Sequence, residues 1–316
     1  MRIAFDSRAE ADPRGIGRYV RCLLEGLRSS APPGGEIVET HRPRRVDVFH
    51  SPWIDGALLR SPSPMVVTLH DLAPLKRRRE YLRTGMRFGL RYLAVQRAVR
   101  VIVPTQVVAA DAEQYLGLGP DRVAVIAEAV APTISRRSKE EVAAVRDRYG
   151  IADDYLLWVG GLEHPDPRKR VAALAAATRR LPLVLVGPTR RWAQELPGVT
   201  LTGLVPDEDL AALYTGARAL VFASDEEGFG LPPVEALACG TPVVATDQAA
   251  LREVLDGRIT FVEADDIEGL VRTAEGAVRP APEPPAWTWS DAARRTWEVY
   301  AEAASAAPPP TRRSRR

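Results

Sequence analysis

The sequence predicts an α/β protein with two parallel sheets, each covered by helices on both faces. The chain has 316 residues, whereas one domain takes roughly 100–200. Short runs that are apolar throughout recur along it, which is typical of strands buried on both faces. Amphipathic segments separate these runs, and this alternation favours parallel sheets over antiparallel ones.

The first half of the chain begins with a strand and a helix. The helix is predicted over residues 17–27, because its apolar residues recur at helical spacing. A longer helix is predicted over residues 81–99. Residues 28–46 leave little room for a further strand and helix. The strands predicted for this half are residues 2–5, 46–49, 65–69, 99–103 and 123–126.

The strand and helix pattern restarts after a proline-containing stretch at residues 131–135. We predict strands at 155–159, 183–186, 199–201, 219–223, 242–245 and 259–262, and helices near 171–181, 207–216 and 232–238. Residues 1–135 and 150–285 are therefore the two expected domains. A final helix at 286–304 is expected to pack back on the first domain, and the tail at 305–316 to be disordered.

Composition excludes several classes of protein. The 43 basic and 41 acidic residues give a net charge of +2, so the whole chain is not expected to bind nucleic acid. No uncharged stretch approaches the roughly 18 apolar residues of a membrane helix, and the first residues do not resemble a signal peptide. Two cysteines, Cys22 and Cys239, argue against a disulfide scaffold. We expect a cytoplasmic protein.

Ligands of open parallel sheets bind beyond the carboxyl ends of the strands. Small, cationic and carboxylate residues follow the predicted strands at these positions. We therefore expect a ligand cleft lined by the ends of both sheets. The residues in question include Gly15, Gly17, His50, His70, Gly160, Gly161, Arg168, Lys169, Gly187 and residues 224–230.

The segment from Glu227 to Glu235 has the most informative spacing. Gly228 and Gly230 permit a close approach of the backbone to a ligand. The prolines that follow suit the first turn of a helix, whose free N–H groups bind anions. Two carboxylates at either end of this loop can accept hydrogen bonds from hydroxyl pairs. A polyol linked to a phosphate fits this arrangement.

This segment resembles glycosyltransferase family 4. The resemblance rests on Glu-x7-Glu enclosing Gly-Phe-Gly-Leu-Pro, and on the Ala-Cys-Gly-Thr-Pro-Val that follows. Four further segments stand in family order over about residues 1–304: 15–19, 66–72, 167–169 and 203–210. The resemblance implies a GT-B fold with two Rossmann-like domains. It also implies retaining transfer of a sugar from a nucleotide-diphosphate sugar to a hydroxyl acceptor, by front-face displacement.

The resemblance also implies roles for single residues. Glu235 would hold the ribose. Glu227 and the loop after it would hold the donor sugar and a phosphate. Arg168 and Lys169 would stabilise the negative charge of the departing diphosphate. No metal or cofactor is then required, and we identify no Asp-x-Asp motif suited to hold a metal. The implied catalytic residues are His70, Arg168, Lys169 and Glu227, and the implied donor-binding residues are Gly15, Gly17, Gly228, Phe229, Gly230, Leu231 and Glu235.

The chain departs from the family pattern in two places. The loop between Gly161 and Arg168 is longer than usual, and the first domain is short, so that its acceptor site is either more open or completed by a partner. An arginine stripe runs from Lys76 to Arg91. It indicates either a peripheral contact with an anionic inner membrane face or a solvated helix face.

Three alternative functions remain open. A dehydrogenase would use Gly15-x-Gly17 as a dinucleotide turn, but Val20 stands where that fingerprint has its third glycine. A nucleotide-sugar epimerase of the same fold would convert the sugar without an acceptor. A non-catalytic partner would bind the nucleotide sugar without turnover. The acceptor (polysaccharide, lipid or small natural product), the donor base and the oligomeric state are left open.

Overall fold

The computed structural model describes residues 1–77 and 85–306, with only the backbone for 85–88. The chain divides into two units. The first contains Met1–Asp12, Ile16–Glu128 and the residues from Thr288 onward. The second contains Pro13–Gly15 and Ala129–Trp287. The chain therefore leaves the first unit, builds the second and returns to the first.

The first unit is built on a six-stranded parallel sheet. Its strand order is β2-β1-β3-β4-β5-β6. The interior strands are almost wholly buried, as expected of strands covered on both faces. Its strands are β1 (Arg2–Phe5), β2 (Glu36–Glu39), β3 (Val48–Ser51), β4 (Met65–Thr68), β5 (Arg100–Val103) and β6 (Val123–Val125).

Helices of the first unit cover this sheet and bring the end of the chain to it. Tyr300 lies on the last helix, and its hydroxyl is 2.6 Å from Nδ1 of His50 in β3. Trp297 donates its indole N–H to the carbonyl of Leu27 at 3.1 Å. The helices are α1 (Gly15–Ser29), α2 (Ala73–Lys76), α3 (Gly85–Val95), α4 (Gln106–Leu116) and, numbered last in the chain, α12 (Trp289–Ser305).

The second unit repeats the architecture. Its six parallel strands have the order β12-β11-β10-β7-β8-β9. The strands are β7 (Leu156–Val159), β8 (Leu183–Val186), β9 (Val199–Gly203), β10 (Ala219–Phe222), β11 (Val243–Thr246) and β12 (Thr260–Val262). The helices are α5 (Lys139–Tyr149), α6 (Val171–Ala176), α7 (Arg191–Gln194), α8 (Asp207–Gly216), α9 (Leu231–Ala238), α10 (Ala249–Leu255) and α11 (Ile267–Glu275).

The predicted fold class is confirmed, because both halves form parallel sheets with helical connections. Three local predictions are wrong. The segment at 28–46 does hold a strand, β2, although residues 30–47 contain no helix. The helix predicted over 81–99 ends at Val95, and the one predicted over 171–181 ends at Ala176. Six helices were not predicted at all: α2, α4, α5, α7, α10 and α11.

Three predictions fall partly outside the described residues. The parts that lie there are residues 78–84 of the arginine stripe, residues 81–84 of the predicted helix and residues 307–316 of the tail. At the described ends of the stripe, Lys76 pairs with Asp111 at 2.9 Å and Arg91 with Asp55 at 2.7 Å. Among the described residues, no helix has the length and apolar character needed to cross a bilayer.

Candidate active site

The loop after β10 is fixed at its base by hydrogen bonds. Ser224 is 3% exposed, and its hydroxyl donates to Oε1 of Glu227 at 2.7 Å. The Thr246 hydroxyl, at the end of the neighbouring strand β11, donates to the carbonyl of Ser224. These bonds hold the Glu227 carboxylate in a defined position at the carboxyl edge of the second sheet.

The glycine that ends this loop is required by its conformation and by packing. Gly230 has a φ of +94° and caps the amino terminus of α9. A Cβ at this position would also lie 2.4 Å from Cδ2 of Leu251 on α10. The prolines Pro232 and Pro233 follow in the first turn of α9, where they cost no hydrogen bond. The loop therefore delivers the amino terminus of α9, a favourable anion site, beside Glu227.

The second carboxylate of the motif is buried on α9. Glu235 is 1% exposed, and the Tyr214 hydroxyl donates to its Oε2 at 2.9 Å. Tyr214 lies on α8 and is itself fully buried. A buried carboxylate is stable only when polar groups satisfy it, so Tyr214 fixes the position of Glu235.

The predicted phosphate-binding pair lies on a short 3₁₀ turn after β7. Asp166 caps this turn and accepts hydrogen bonds from the Arg168 side chain through Nε at 3.3 Å and Nη2 at 3.0 Å. Burial raises the pKa of Asp166, but the bonds and charge of Arg168 lower it further, so the net pKa is below its ordinary value. The Asp225 N–H donates to the carbonyl of Arg168 at 3.0 Å, which joins the turn to the loop of Glu227.

Lys169 extends over the end of β7. Its Nζ is 5.9 Å from the centroid of the Trp158 ring, and it would lie 3.3 Å from a Cβ at Gly160. Gly187, at the end of β8, packs against the same backbone, because a Cβ there would lie 1.9 Å from the carbonyl oxygen of Gly160. These glycines let the strand ends approach beneath Lys169. The longer loop is anchored where Leu162 bridges to Thr189.

His70 lies in the first unit, after β4. Its Nδ1 is 3.0 Å from Oε1 of Glu128, and its Nε2 is 3.0 Å from the carbonyl oxygen of Pro52. The Tyr19 ring packs edge-on against the imidazole, with 4.6 Å between the two ring centroids. Burial lowers the pKa of His70, but Glu128, the Pro52 carbonyl and the charge of Asp71 together raise it above its ordinary value.

His50 lies in the interior of the same unit. It is fully buried, and Nε2 is 2.9 Å from the Thr68 hydroxyl. Burial, and then the charge of His70, lowers the pKa of His50 to about 3. The imidazole is therefore neutral and forms part of the packing between β3, β4 and α12.

The two glycines at the start of α1 have different surroundings. Gly15 is exposed, and a Cβ there would be 3.7 Å from Cδ1 of Leu231. A Cβ at Gly17 would be 1.8 Å from the carbonyl oxygen of Asp12. Packing of the helix entry alone therefore requires glycine at position 17, and its predicted contact with phosphate stays a prediction.

The structure thus brings one set of predicted residues together and places the others elsewhere. Glu227, the loop from Gly228 to Leu231, Glu235, Arg168 and Lys169 lie in the second unit, whereas Gly17 and His70 lie in the first. Phe229, in the loop of the second unit, is 4% exposed. Its ring centroid lies 5.8 Å from that of Trp287.

Sequence reasoning missed the groups that hold these residues in place. They are Tyr214, Asp166 and Glu128. The spacing Asp-Pro-Arg before Lys169 signals a capped turn and identifies Asp166. The other two partners carry no local signal that distinguishes them from ordinary polar residues.

One pair of aspartates, Asp207 and Asp209, has Asp-x-Asp spacing. Asp209, however, accepts hydrogen bonds from Arg148 at 2.8 and 2.7 Å and from the Tyr149 hydroxyl at 2.8 Å, and Asp207 accepts one from Thr133 at 2.8 Å. This pair therefore joins α8 to α5 and to the segment before it. Across residues 1–77 and 85–306, no three His, Cys, Asp or Glu side chains converge as a metal site.

Two family models match the chain. The model described as Glycosyltransferase Family 4 matches residues 4–133, and the model described as Glycosyl transferases group 1 matches residues 153–278. Each match covers most of one sheet with its helices. The two matches leave residues 1–3, 134–152 and 279–316 unmatched.

Curated relatives point to the same family. The chain is 30% identical over 242 residues to the serotype-specific mannosyltransferase WbdA of Escherichia coli, covering 69% of this chain and 29% of that protein. It is also 30% identical over 313 residues to the D-inositol 3-phosphate glycosyltransferase of Thermobispora bispora, covering 83% of this chain and 72% of that protein. The chain thus spans less than a third of the first relative and most of the second.

Solved structures agree with the fold. HepE of Anabaena, crystallised in complex with UDP and glucose, superposes with a TM-score of 0.67 at 17% identity, over 96% of this chain and 95% of that one. At this identity the likeness establishes the GT-B fold alone. The relative from Thermobispora bispora, covered over most of its length, and the two family matches show that the chain belongs to glycosyltransferase family 4.

Proposed function

We propose that this protein transfers a sugar from a nucleotide-diphosphate sugar to an acceptor hydroxyl, with retention of configuration and without a metal ion. One observation carries the proposal. Glu227 lies at the start of the glycine loop and Glu235 on α9 after it, and each is held by a buried hydroxyl, from Ser224 and Tyr214 respectively. The loop between them delivers the amino terminus of α9.

This arrangement suits a nucleotide sugar at each of its parts. An ionised carboxylate accepts several hydrogen bonds and donates none, so Glu235 suits a pair of ribose hydroxyls and Glu227 the hydroxyls of the donor sugar. The amino terminus of α9 suits a phosphate between them. The neighbour HepE was crystallised with UDP and glucose, which is consistent with this assignment.

The chemistry follows from where charge develops. The departing diphosphate gains negative charge in the transition state, and cations fixed in advance stabilise it. Asp166 orients Arg168, and the backbone bond to Asp225 holds that turn against the donor loop. In the proposed front-face displacement, the leaving phosphate oxygen takes the proton of the acceptor hydroxyl. No carboxylate then acts as nucleophile, and the protein positions the reactants.

The acceptor class is proposed from the relatives of the chain. The names of the two relatives are those of a mannosyltransferase and an inositol phosphate glycosyltransferase, so a polyol or glycan acceptor is the proposal. Peripheral contact with an anionic bilayer is also proposed. Leu90 and Leu93 are 57% and 40% exposed, about one turn apart on α3, and apolar side chains on such a face can enter a membrane interface.

The test of donor binding is thermal stabilisation by UDP-, GDP-, ADP- and TDP-sugars. A ligand present at 100 times its Kd should stabilise the fold by about 2.7 kcal/mol. One nucleotide class should raise the Tm, and Glu235→Ala should abolish the shift. Glu263→Ala is the matched control, because Glu263 is exposed in the same unit and should keep it. The absence of any shift would refute the proposal.

Measurements of turnover distinguish the transferase from the epimerase and from the non-catalytic binding partner. NMR of the glycoside formed with a panel of polyol and glycan acceptors should show the anomeric configuration of the donor, and EDTA should leave the rate unchanged. Conversion of the donor sugar without an acceptor would identify an epimerase. Tight binding with no product from any acceptor would identify a binding partner.

A further inference from the structure

The imidazole of His70 is bonded at both ring nitrogens to groups that accept hydrogen bonds. The carbonyl of Pro52 has no proton to donate, so Nε2 must carry one to make its 3.0 Å bond. Nδ1 meets Oε1 of Glu128 at 3.0 Å, and a carboxylate likewise only accepts. A neutral imidazole has a proton on one nitrogen only, so two accepting partners call for the doubly protonated form.

Glu128 is placed to enforce this state. Its side chain is 6% exposed, against 19% for His70, so solvent screens their attraction less than it would at the surface. Glu128 is also the residue at which the chain leaves the first unit, and it follows β6 closely. The bond therefore joins the end of β4 to the segment that leads out of the sheet.

We propose that Glu128 is a positioning residue that holds His70 as an imidazolium, a fixed cation at the carboxyl edge of the first sheet. The inference rests on the proposed function where it concerns catalysis. In the reaction, the imidazolium would serve the catalytic role that the family resemblance implies for His70. Pro52 fixes the ring plane, so the proton on Nε2 is not available for transfer.

The groups that face His70 come from several elements. Glu128 follows β6, Asp71 follows His70 itself, Tyr19 approaches from α1 and His50 from β3. Glu128 and Asp71 favour the imidazolium. Burial and the charge of His70 keep the pKa of His50 at about 3, and burial raises the pKa of Tyr19. Both groups are therefore neutral near pH 7, and neither opposes the imidazolium.

The direct test is ¹⁵N NMR of histidine-labelled protein without any donor. The chain has four histidines, and His70→Gln assigns the signal. In the wild type, both nitrogens of His70 should show protonated shifts at pH 7, and the titration should fall above that of free histidine. Glu128→Gln keeps an acceptor but removes the charge, so it should move the titration to lower pH. A neutral His70 at pH 7 in the wild type would overturn the proposal.

Kinetics test the positioning role. In a profile of kcat against pH, Glu128→Gln should move the fall of kcat on the alkaline side to lower pH. Above that point kcat should fall about tenfold per pH unit, while KM for the donor changes little. Glu128→Asp keeps the charge and should restore part of the alkaline activity. Asp71→Asn is the control, because it removes a charge but no ring partner, and should shift the limb less. An unchanged limb in Glu128→Gln would contradict the role.

The two proposals fail in distinguishable ways. The wild-type NMR titration is read on the free protein and needs neither donor nor turnover. A protonated His70 in a protein without transferase activity would refute the proposed function alone. A neutral His70 in an active transferase would refute this inference alone.

Discussion

The Tyr214 hydroxyl donates a 2.9 Å hydrogen bond to Oε2 of Glu235, and both side chains are buried. Tyr214→Phe removes this bond without opening a large cavity. Hydrogen bonds to charged groups contribute about 1.5–3 kcal/mol, so donor affinity should weaken at least about tenfold. Isothermal titration with the donor nucleotide measures this change.

Tyr155→Phe is the matched control for that prediction. Tyr155 is also fully buried, and its hydroxyl donates to the carbonyl of Leu213 at 2.7 Å, not to a carboxylate of the site. This variant should lose stability but keep the wild-type Kd. Equal losses of affinity in the two variants would show that Tyr214 acts only through stability.

A second prediction concerns Gly230. Gly230→Ala forces a side chain into a left-handed conformation and places its Cβ 2.4 Å from Leu251. Gly257 has a comparable φ of +73° with nothing within 4 Å, so Gly257→Ala tests the conformational strain alone, about 1–3 kcal/mol. Urea unfolding should give a larger loss for Gly230→Ala, and only that variant should lose donor binding.

A third prediction concerns Lys169, one of three lysines in this chain. Lys169→Met should lower kcat about 100-fold or more, since a cation at the transition state is removed, while donor affinity falls less. Lys139→Met is the control, because Lys139 is exposed on α5. Steady-state kinetics with saturating donor measure the effect. A rise in KM alone, with kcat retained, would assign Lys169 to binding.

A fourth prediction concerns stability against pH. Glu275 is 4% exposed at its side chain and accepts the N–H groups of Arg180 and Leu181. Burial raises its pKa, but these bonds lower it further, so the net pKa lies below the ordinary value of 4.5. Its contribution is therefore present above about pH 4.5 and is lost as the pH falls through the folded-state value.

Glu275→Ala should accordingly reduce the free energy of unfolding by about 1–3 kcal/mol at pH 7, and by less at pH 3. Glu268→Ala is the control, because Glu268 is exposed and accepts one N–H, from Thr178. Urea titrations at the two pH values measure both variants. A loss for Glu275→Ala that does not depend on pH would refute the assignment to ionisation.

The sequence predicts the interior strands well because each must be apolar on both faces. This reasoning did not predict the edge strand β2, because its end residues Glu36 and Glu39 are exposed. The helix α5 was not predicted for a related reason, because Val142 and Val145 are its only buried residues. Its capping box at Ser138 was the signal that could have found it.

The candidate site is predictable only in part. Glycines and carboxylates that must meet a ligand cluster within one loop, so their spacing identifies them. The side chains that hydrogen-bond to His70 and Glu235 come from distant segments. Glu128 is 58 residues from His70, and Tyr214 is 21 residues from Glu235. No local periodicity records such pairs, because they form only when separate strands and helices assemble.

The return of the chain to its first unit has a consequence for synthesis. Tyr300 reaches His50 across 250 residues, and the indole of Trp297 reaches Leu27 across 270. A ribosome therefore releases the whole of the second unit before it releases the helix that completes the first. We infer that the second sheet can close during translation, whereas the first must wait, with its strands already outside, for the last helix to emerge.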